Sequence, residues 1–259
     1  MQARIALSLA GVDASAWNAL PGADSPFLRH EFLAALEQSG CATPETGWDA
    51  CHVLLHDEDG GLAAAMPLYL KSHSWGEFVF DFAWAEAYHR AGLAYYPRLV
   101  SGVPFTPATG PRLLGGPTHR PRLLAAAREV LVQRGLSSLH VLFPAAEDRG
   151  FLEGAGLMPR LDVQFHWRND GYGTFEDFLA GFTSEKRKKL RRERRRVAEA
   201  GIACRTVGGR ELDDRLLDAI HRLHAITFAR YGHAPYLNRA FFGRIAETMP
   251  DALVVELAE

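Results

Sequence analysis

The chain has 259 residues, with 29 Lys and Arg against 31 Asp and Glu, a formal net charge of −2. Apolar residues make up 47% and charged residues 23%, which excludes a disordered or collagen-like chain. The longest apolar stretches, such as Gly61–Leu70 with Pro67 inside it, reach only about ten residues, too few for a bilayer-spanning helix, and Cys41, Cys51 and Cys204 are too few and too scattered for a disulfide framework or a four-thiolate metal site, which points to a reducing, cytoplasmic setting.

In chain order, Arg4–Leu9 reads as a strand. Arg4, the apolar stretch Ile5–Val12 and Ala14-Ser15-Ala16 also have the look of a secretion signal, but Asp13 interrupts early and the basic region is one Arg. A buried first strand, then a helix capped near Asp13 or Ser15, explains the same letters. Ser25-Pro26 reads as a helix start, Phe32, Leu33 and Leu36 follow at helical spacing, and Gly40 ends the run. Cys51–His56 and Leu62–Leu70 flank Asp57-Glu58-Asp59-Gly60-Gly61, a hairpin pattern. Glu77–Trp84 and Arg98–Phe105, rich in aromatic and β-branched residues, read as strands. Pro121–Arg134 carries a helical stripe of Leu123, Leu124, Ala127 and Leu131. Leu139–Phe143 is a short strand, Gly150–Gly156 a helical turn and Val163–Trp167 another strand. This order predicts an α+β layer with a mixed, largely antiparallel sheet rather than repeating βαβ units.

The pattern changes after Asn169-Asp170-Gly171-Tyr172-Gly173. Phe175–Phe182 reads as a short helix. Lys186 to Arg196 reads KRKKLRRERRR, nine basic residues and one acidic, a local +8 that leaves the rest of the chain at −10. Thr183 or Ser184 caps this helix and Gly201 stops it. Ile202–Val207 (strand), Leu212–Leu223 and Phe241–Ile245 (helical) and Ala252–Leu257 (strand, with no partner in view) follow. The expectation is a first lobe at 1–168 and the start of a second, truncated lobe at 169–259.

The most informative segment is Gly76–Leu114, with eight aromatics interleaved with Asp81, Glu86, His89, Arg90, Arg98 and Arg112. Such a mixture suits a cleft that holds an acceptor. A strand running through Thr106-Pro107-Ala108-Thr109-Gly110-Pro111 into a helix would offer backbone N–H groups to an anion. A proline-rich aromatic turn that packs the core accounts for the same composition.

The stretches FDFAWAEAYHRAGLAYYPRL and PFTPATGPRLL closely resemble the FemAB-like proteins of peptidoglycan biosynthesis or recognition, within the wider GNAT acyltransferase superfamily. The resemblance runs from about Ser25 to the end of the sequence. It implies GNAT-like lobes in tandem, with Arg98–Phe105 as the splayed central strand and Thr106–Arg112 as the pyrophosphate loop. Arg98, Val103, Phe105, Thr106, Thr109, Gly110 and Arg112 are then the residues expected to bind the donor. The run from Ser184 to Arg192, ending Glu199-Ala200-Gly201-Ile202, resembles the basic helix that opens the second lobe of Fem-type aminoacyl transferases. Only Leu190 and Val197 form an apolar seam on it, so it docks lightly. Lys186, Lys188, Lys189, Arg191, Arg192 and Arg195 are candidates for RNA phosphates, a lipid pyrophosphate or anionic lipid. A solvated helix neutralised by the acidic body is the alternative.

Acyl transfer to an amine needs the amine deprotonated and an oxyanion stabilised. Asp81 or Glu86 as base and Tyr88 or Tyr95 as acid are the candidates, with His89 nearby. Each carboxylate can instead pair with Arg90 or Arg98. The sequence departs from acetyl-CoA enzymes of the superfamily, because Pro104, Pro107 and Pro111 each remove a donor where they carry a glycine-rich loop. This favours aminoacyl-tRNA over acyl-CoA as donor. Gln133-Arg134-Gly135 reads as a helix C-cap. The pairs His52/His56 and His221/His224 lack a third ligand at metal spacing, so no metal is expected. Cys51 reads as core packing rather than a nucleophile. No phosphate-binding P-loop, GxSxG or GxGxxG occurs. The resulting expectation is an acyl or aminoacyl transferase acting on an amine acceptor such as a peptidoglycan precursor. The rival is a non-catalytic module that binds a peptidoglycan fragment or nucleic acid.

Overall fold

The computed structural model describes residues 1–259. In chain order its elements are β1 (Gln2–Ala6), α1 (Ala14–Asn18), α2 (His30–Gln38), β2 (Trp48–Ala50), β3 (His52–His56), β4 (Leu62–Met66), β5 (Tyr69–Lys71), α3 (Phe82–Arg90), β6 (Arg98–Ser101), β7 (Leu114–Gly115), α4 (Arg120–Gln133), β8 (Leu139–Val141), α5 (Ala146–Gly154), α6 (Phe175–Ala180), α7 (Ser184–Glu199), β9 (Cys204–Gly208), α8 (Asp214–Ala229), α9 (Arg239–Thr248) and β10 (Val254–Ala258). The chain forms two units, Met1–Met158 with Gly209–Leu253, and Pro159–Gly208 with Val254–Glu259. Antiparallel sheets and helices share the chain in an α+β arrangement.

In the larger unit the expected hairpin forms, and it is longer than its alternation shows. Its two arms, β2–β3 and β4–β5, each break in the middle. There Cys51 donates its amide to the Leu68 carbonyl at 2.9 Å, and Pro67 has no amide to offer a ladder. The break passes the hairpin from a sheet of order β1-β3-β4-β7 to one of order β2-β5-β6-β8. Alternation then sorts the side chains. On β5 and β6, Leu70 and Leu99 face a cluster that includes Leu123, Leu124 and Ala127 of α4 and Leu152 of α5. Tyr69 and Val100 face one with Ala35 and Leu36 of α2 and Phe241 and Ile245 of α9. A third cluster gathers Leu9, Trp17, Leu33 and Val103.

β6 and β8 are parallel, with Leu99 opposite Leu139 and Ser101 opposite Val141. Beyond Ser101 the chain leaves this pair and returns at Gly110, which bridges Pro144 in the parallel sense. Residues 102–109 are thus a loop inserted into an otherwise continuous parallel pair.

Several expectations need correction. Glu77–Trp84 is not a strand. From Phe82 it is helix α3, because Ala83, Ala85 and Ala87 supply helix formers at every second position and no neighbouring strand is there to pair with. α2 starts at His30 rather than at Ser25, where residues 25–29 form a turn with the Arg29 amide on the Ser25 carbonyl at 3.2 Å. Asp13 does cap α1, accepting from the Ala16 amide at 2.6 Å.

In the smaller unit, Thr183 caps α7 and a capping box between Thr174 and Asp177 starts α6. β10 is not partnerless, because it pairs antiparallel with β9 over its full length, Val254 opposite Gly208 to Ala258 opposite Cys204. Val163–Trp167 alternates as a strand should but forms no regular element, and its Trp167 packs edgewise on Phe178 at 6.2 Å.

Candidate functional site

The larger unit holds a buried ionic cluster centred on Arg98. Cross-strand register on β5–β6 sets Lys71 opposite Arg98, and that on β2–β5 sets Trp48 opposite Lys71, so all three side chains project from one face. The segment between β5 and β6 folds over that face. Arg98 donates to Glu77 Oε2 at 2.5 Å, to Asp81 Oδ2 at 2.5 Å and to Ser74 Oγ at 2.9 Å, and also to the Tyr95 hydroxyl. Tyr95 donates in turn to Asp81 Oδ2 at 2.7 Å, and Ser74 to Asp81 Oδ1 at 2.5 Å. The Lys71 ammonium lies 3.7 Å from the Trp48 ring centroid and donates to the Trp75 carbonyl at 3.3 Å.

Burial sets the acidities here. Burial works to raise the Asp81 pKa, but hydrogen bonds from Ser74, Tyr95 and Arg98 outweigh it and hold the carboxyl below its usual range. Burial and the hydrogen bond to Asp81 push the Tyr95 hydroxyl up. Burial raises Glu77 to about 7 against the attraction of Arg98 and Lys71, and lowers Lys71 to about 7 against that of Glu77. Trp48 Nε1, Glu77 Oε1 and Arg98 Nε are buried without a hydrogen-bond partner.

The four residues expected to do proton chemistry are therefore not equivalent. Asp81 and Tyr95 are locked against Arg98. Glu86 is exposed and pairs with Arg90 at 3.4 Å. Tyr88 packs its ring edgewise on Tyr95, 5.0 Å between centroids. For both carboxylates the structure adopts the ion-pair alternative. Lys71, Ser74 and Glu77 escaped the sequence reading. The Tyr69-Leu70-Lys71 alternation was the available signal, since it sets Lys71 on the face of a core tyrosine.

The bend Thr106–Arg112 runs into β7, not into a helix, and α4 begins only at Arg120. Val103 is core. Phe105 adopts φ +59, stacks on Tyr236 at 4.9 Å and takes its amide to the Gly76 carbonyl at 3.1 Å. Thr106 Oγ1 donates to the Pro104 carbonyl at 3.2 Å, and the Gly110 amide to the Phe143 carbonyl at 3.1 Å. Arg112 is buried inside the bend. Its guanidinium donates to the carbonyls of Leu142 at 2.8 Å, Pro111 at 2.8 Å and Ala108 at 2.6 Å, while its amide goes to Asp148 at 2.6 Å. Burial lowers its pKa to about 10. Because a trans peptide points its C=O and N–H oppositely, turning the Ala108 carbonyl toward Arg112 turns the Thr109 amide away from it.

In the smaller unit, α7 has no buried residue. Lys189, Arg191 and Arg195 pair with Glu193, Glu176 and Glu199 at 3.9, 2.5 and 3.3 Å. Lys186 sits over the Phe182 ring. Lys188, Arg192 and Arg196, four residues apart along one face, have no carboxylate partner. An open groove of about 1000 Å³ runs along the cationic side chains from Lys186 to Arg195.

No group of three or more His, Cys, Asp or Glu side chains is placed to hold a metal ion. Burial pushes the Cys51 thiol up to about 12, which makes it inert. No helix is long and apolar enough to cross a membrane. A family model, FemAB-like, described as peptidoglycan biosynthesis/recognition, matches residues 8–259. No curated protein matches the chain.

Proposed function

We infer a transferase from the premise that this chain belongs to the FemAB-like family of peptidoglycan biosynthesis and recognition proteins, whose span covers nearly all of it. The reaction is acyl or aminoacyl transfer to the amine of a cell-wall precursor in the cytoplasm, with aminoacyl-tRNA or acyl-CoA as donor. The observation that carries this reading is the interrupted parallel pair. β6 and β8 separate after Ser101 and rejoin at Gly110, a parting of the kind that lets a GNAT-like sheet admit a donor.

Arg112 fills the inside of the bend, so the donor's anion meets its outer side, where the Thr109 amide is directed. The buried guanidinium, bonded to carbonyls and not to a carboxylate, adds positive potential there. The acceptor amine loses its proton to a carboxylate of the Arg98 cluster and attacks the donor carbonyl. The leaving thiol or ribose hydroxyl takes a proton as it departs. Glu77, near 7 and with one oxygen unpartnered, suits proton acceptance at neutral pH better than Asp81 does.

The test is amide formation on a soluble muropeptide amine with each donor in turn. Glu77→Gln should lower kcat by about 10²–10⁴ and abolish the rise in rate near pH 7. An unchanged pH profile removes Glu77 from the mechanism. Absence of amide product with either donor removes the transferase and favours the binding-module alternative.

A further inference from the structure

The support behind Glu77 comes from parts of the chain far from it in sequence. Gly76, just before Glu77, is held by the bend. Its carbonyl takes the Phe105 amide at 3.1 Å, and the Phe105 ring lies so close that a Cβ on Gly76 would stand 2.5 Å from it. The same ring packs edgewise on Trp48 at 5.6 Å, and Trp48 carries the Lys71 ammonium over its face. Phe105 therefore backs Glu77 through Gly76 and Lys71 through Trp48.

Tyr236 closes this arrangement from the connection between α8 and α9. It stacks on Phe105 with the ring planes 14° apart, and it meets Phe78, just after Glu77, edgewise at 6.4 Å. Phe228 of α8 packs on it at 5.2 Å. Burial raises the Tyr236 hydroxyl pKa and the Gly76 backbone acts against that rise, so the hydroxyl end also lies beside residue 76. Asn238 anchors the connection, donating to the Ser39 carbonyl at 2.6 Å and accepting from the Phe241 amide at 3.0 Å. One ring thus bears on both chain neighbours of Glu77.

We propose that Tyr236 is a positioning residue for Glu77. By holding residues 76 and 78 on either side, it keeps the carboxyl turned inward and away from water. The charged groups that face Glu77 there are Arg98 of β6, Lys71 of β5 and Asp81, with the Tyr96 hydroxyl in electrostatic reach. The catalytic consequence rests on the transferase reading, whereas the positioning is a property of the folded chain.

The test follows the titration of Glu77 in the full chain by carbon-13 labelling of glutamate carboxyls, with Glu77→Gln to assign the signal. Burial raises that carboxyl to about 7. Tyr236 is half-buried on a connection, so Tyr236→Leu keeps apolar bulk and loses only the stack. In that variant the inflection should drop by at least about one pH unit as water reaches the carboxyl. Tyr236→Phe keeps the stack and should hold the inflection within about 0.3. Ile245→Val removes a methylene from the core cluster that Phe105 packs against and leaves every ring in place. It should hold the inflection too, whatever it costs in melting temperature. An unmoved inflection in Tyr236→Leu overturns the proposal. So does an equal drop in Ile245→Val, because lost stability alone would then account for it. In the amide-forming assay, the rise of rate with pH should move down with the inflection. Absence of amide product from the parent chain overturns the transferase reading alone, and the carboxyl titration still decides whether Tyr236 positions Glu77.

Discussion

Arg98 pairs with two buried carboxylates, whereas Lys71 beside it has no carboxylate within hydrogen-bond reach. A buried ammonium costs stability wherever it must stay charged, and here it gains one long carbonyl bond and the face of Trp48. Its pKa in the folded chain, about 7, lies below the unfolded value of about 10.4. The stability linked to this group is thus fully present above about pH 10 and lost as pH falls through 7. Lys71→Met keeps the packing on Trp48 and should abolish that loss. The melting temperature of the parent minus that of the variant should fall as pH is lowered from about 10 to 7; a pH-independent difference would refute it. The sequence disclosed Asp81, Glu86, Arg90 and Arg98 as partners but could not choose between pairing and catalysis, because spacing along a chain does not report which side chain turns inward. Glu77 and Ser74 lay beyond reach for a plainer reason. They arrive at Arg98 through a segment of irregular backbone that has no period to read.

Among the elements, the hairpin was legible because its alternation and its Gly-bearing turn agree. The passage of its arms between two sheets was not, since it depends on one missing amide at Pro67. Glu77–Trp84 misled in the opposite way. Aromatic content argues for a strand only where a neighbouring strand exists to pair with, and α3 has none. Val163–Trp167 is the same lesson with a different outcome, as its alternation yields neither strand nor helix. β7 is the shortest strand, and a close approach fixes it. Gly115 has φ +108, and an added Cβ would lie 2.8 Å from both the Ala63 carbonyl oxygen and the Ala64 Cβ. Gly115→Ala should therefore lower stability by about 2 kcal/mol in denaturant unfolding, by prising β7 from β4. A cost within about 0.5 kcal/mol would mean that β7 moves freely and that the close approach is not needed.

Across the whole molecule the near-neutral total conceals a +8 helix on a −10 chain. That asymmetry was readable from the letters alone, whereas the division of labour among the nine cations was not. Arg191 and Arg195 were natural candidates for a polyanion, yet both pair with glutamates. Lys188, Arg192 and Arg196 do not. A cation already held by a carboxylate releases fewer counterions when it meets a phosphate, so Lys188, Arg192 and Arg196, which are held neither by a carboxylate nor, as Lys186, Arg187 and Arg194 are, by a ring or a carbonyl, should dominate the salt dependence of RNA binding. With tRNA as the probe, Lys188→Ala, Arg192→Ala and Arg196→Ala together should reduce the slope of log K against log salt by roughly two to three. Arg191→Ala with Arg195→Ala should reduce it by less than one, because freeing Glu176 and Glu199 adds repulsion but removes little phosphate contact. Equal reductions per cation would mean that the ion pairs along α7 dissolve on binding. An unchanged slope in the triple variant would take the helix out of nucleic-acid recognition and leave its charge to balance the acidic chain around it.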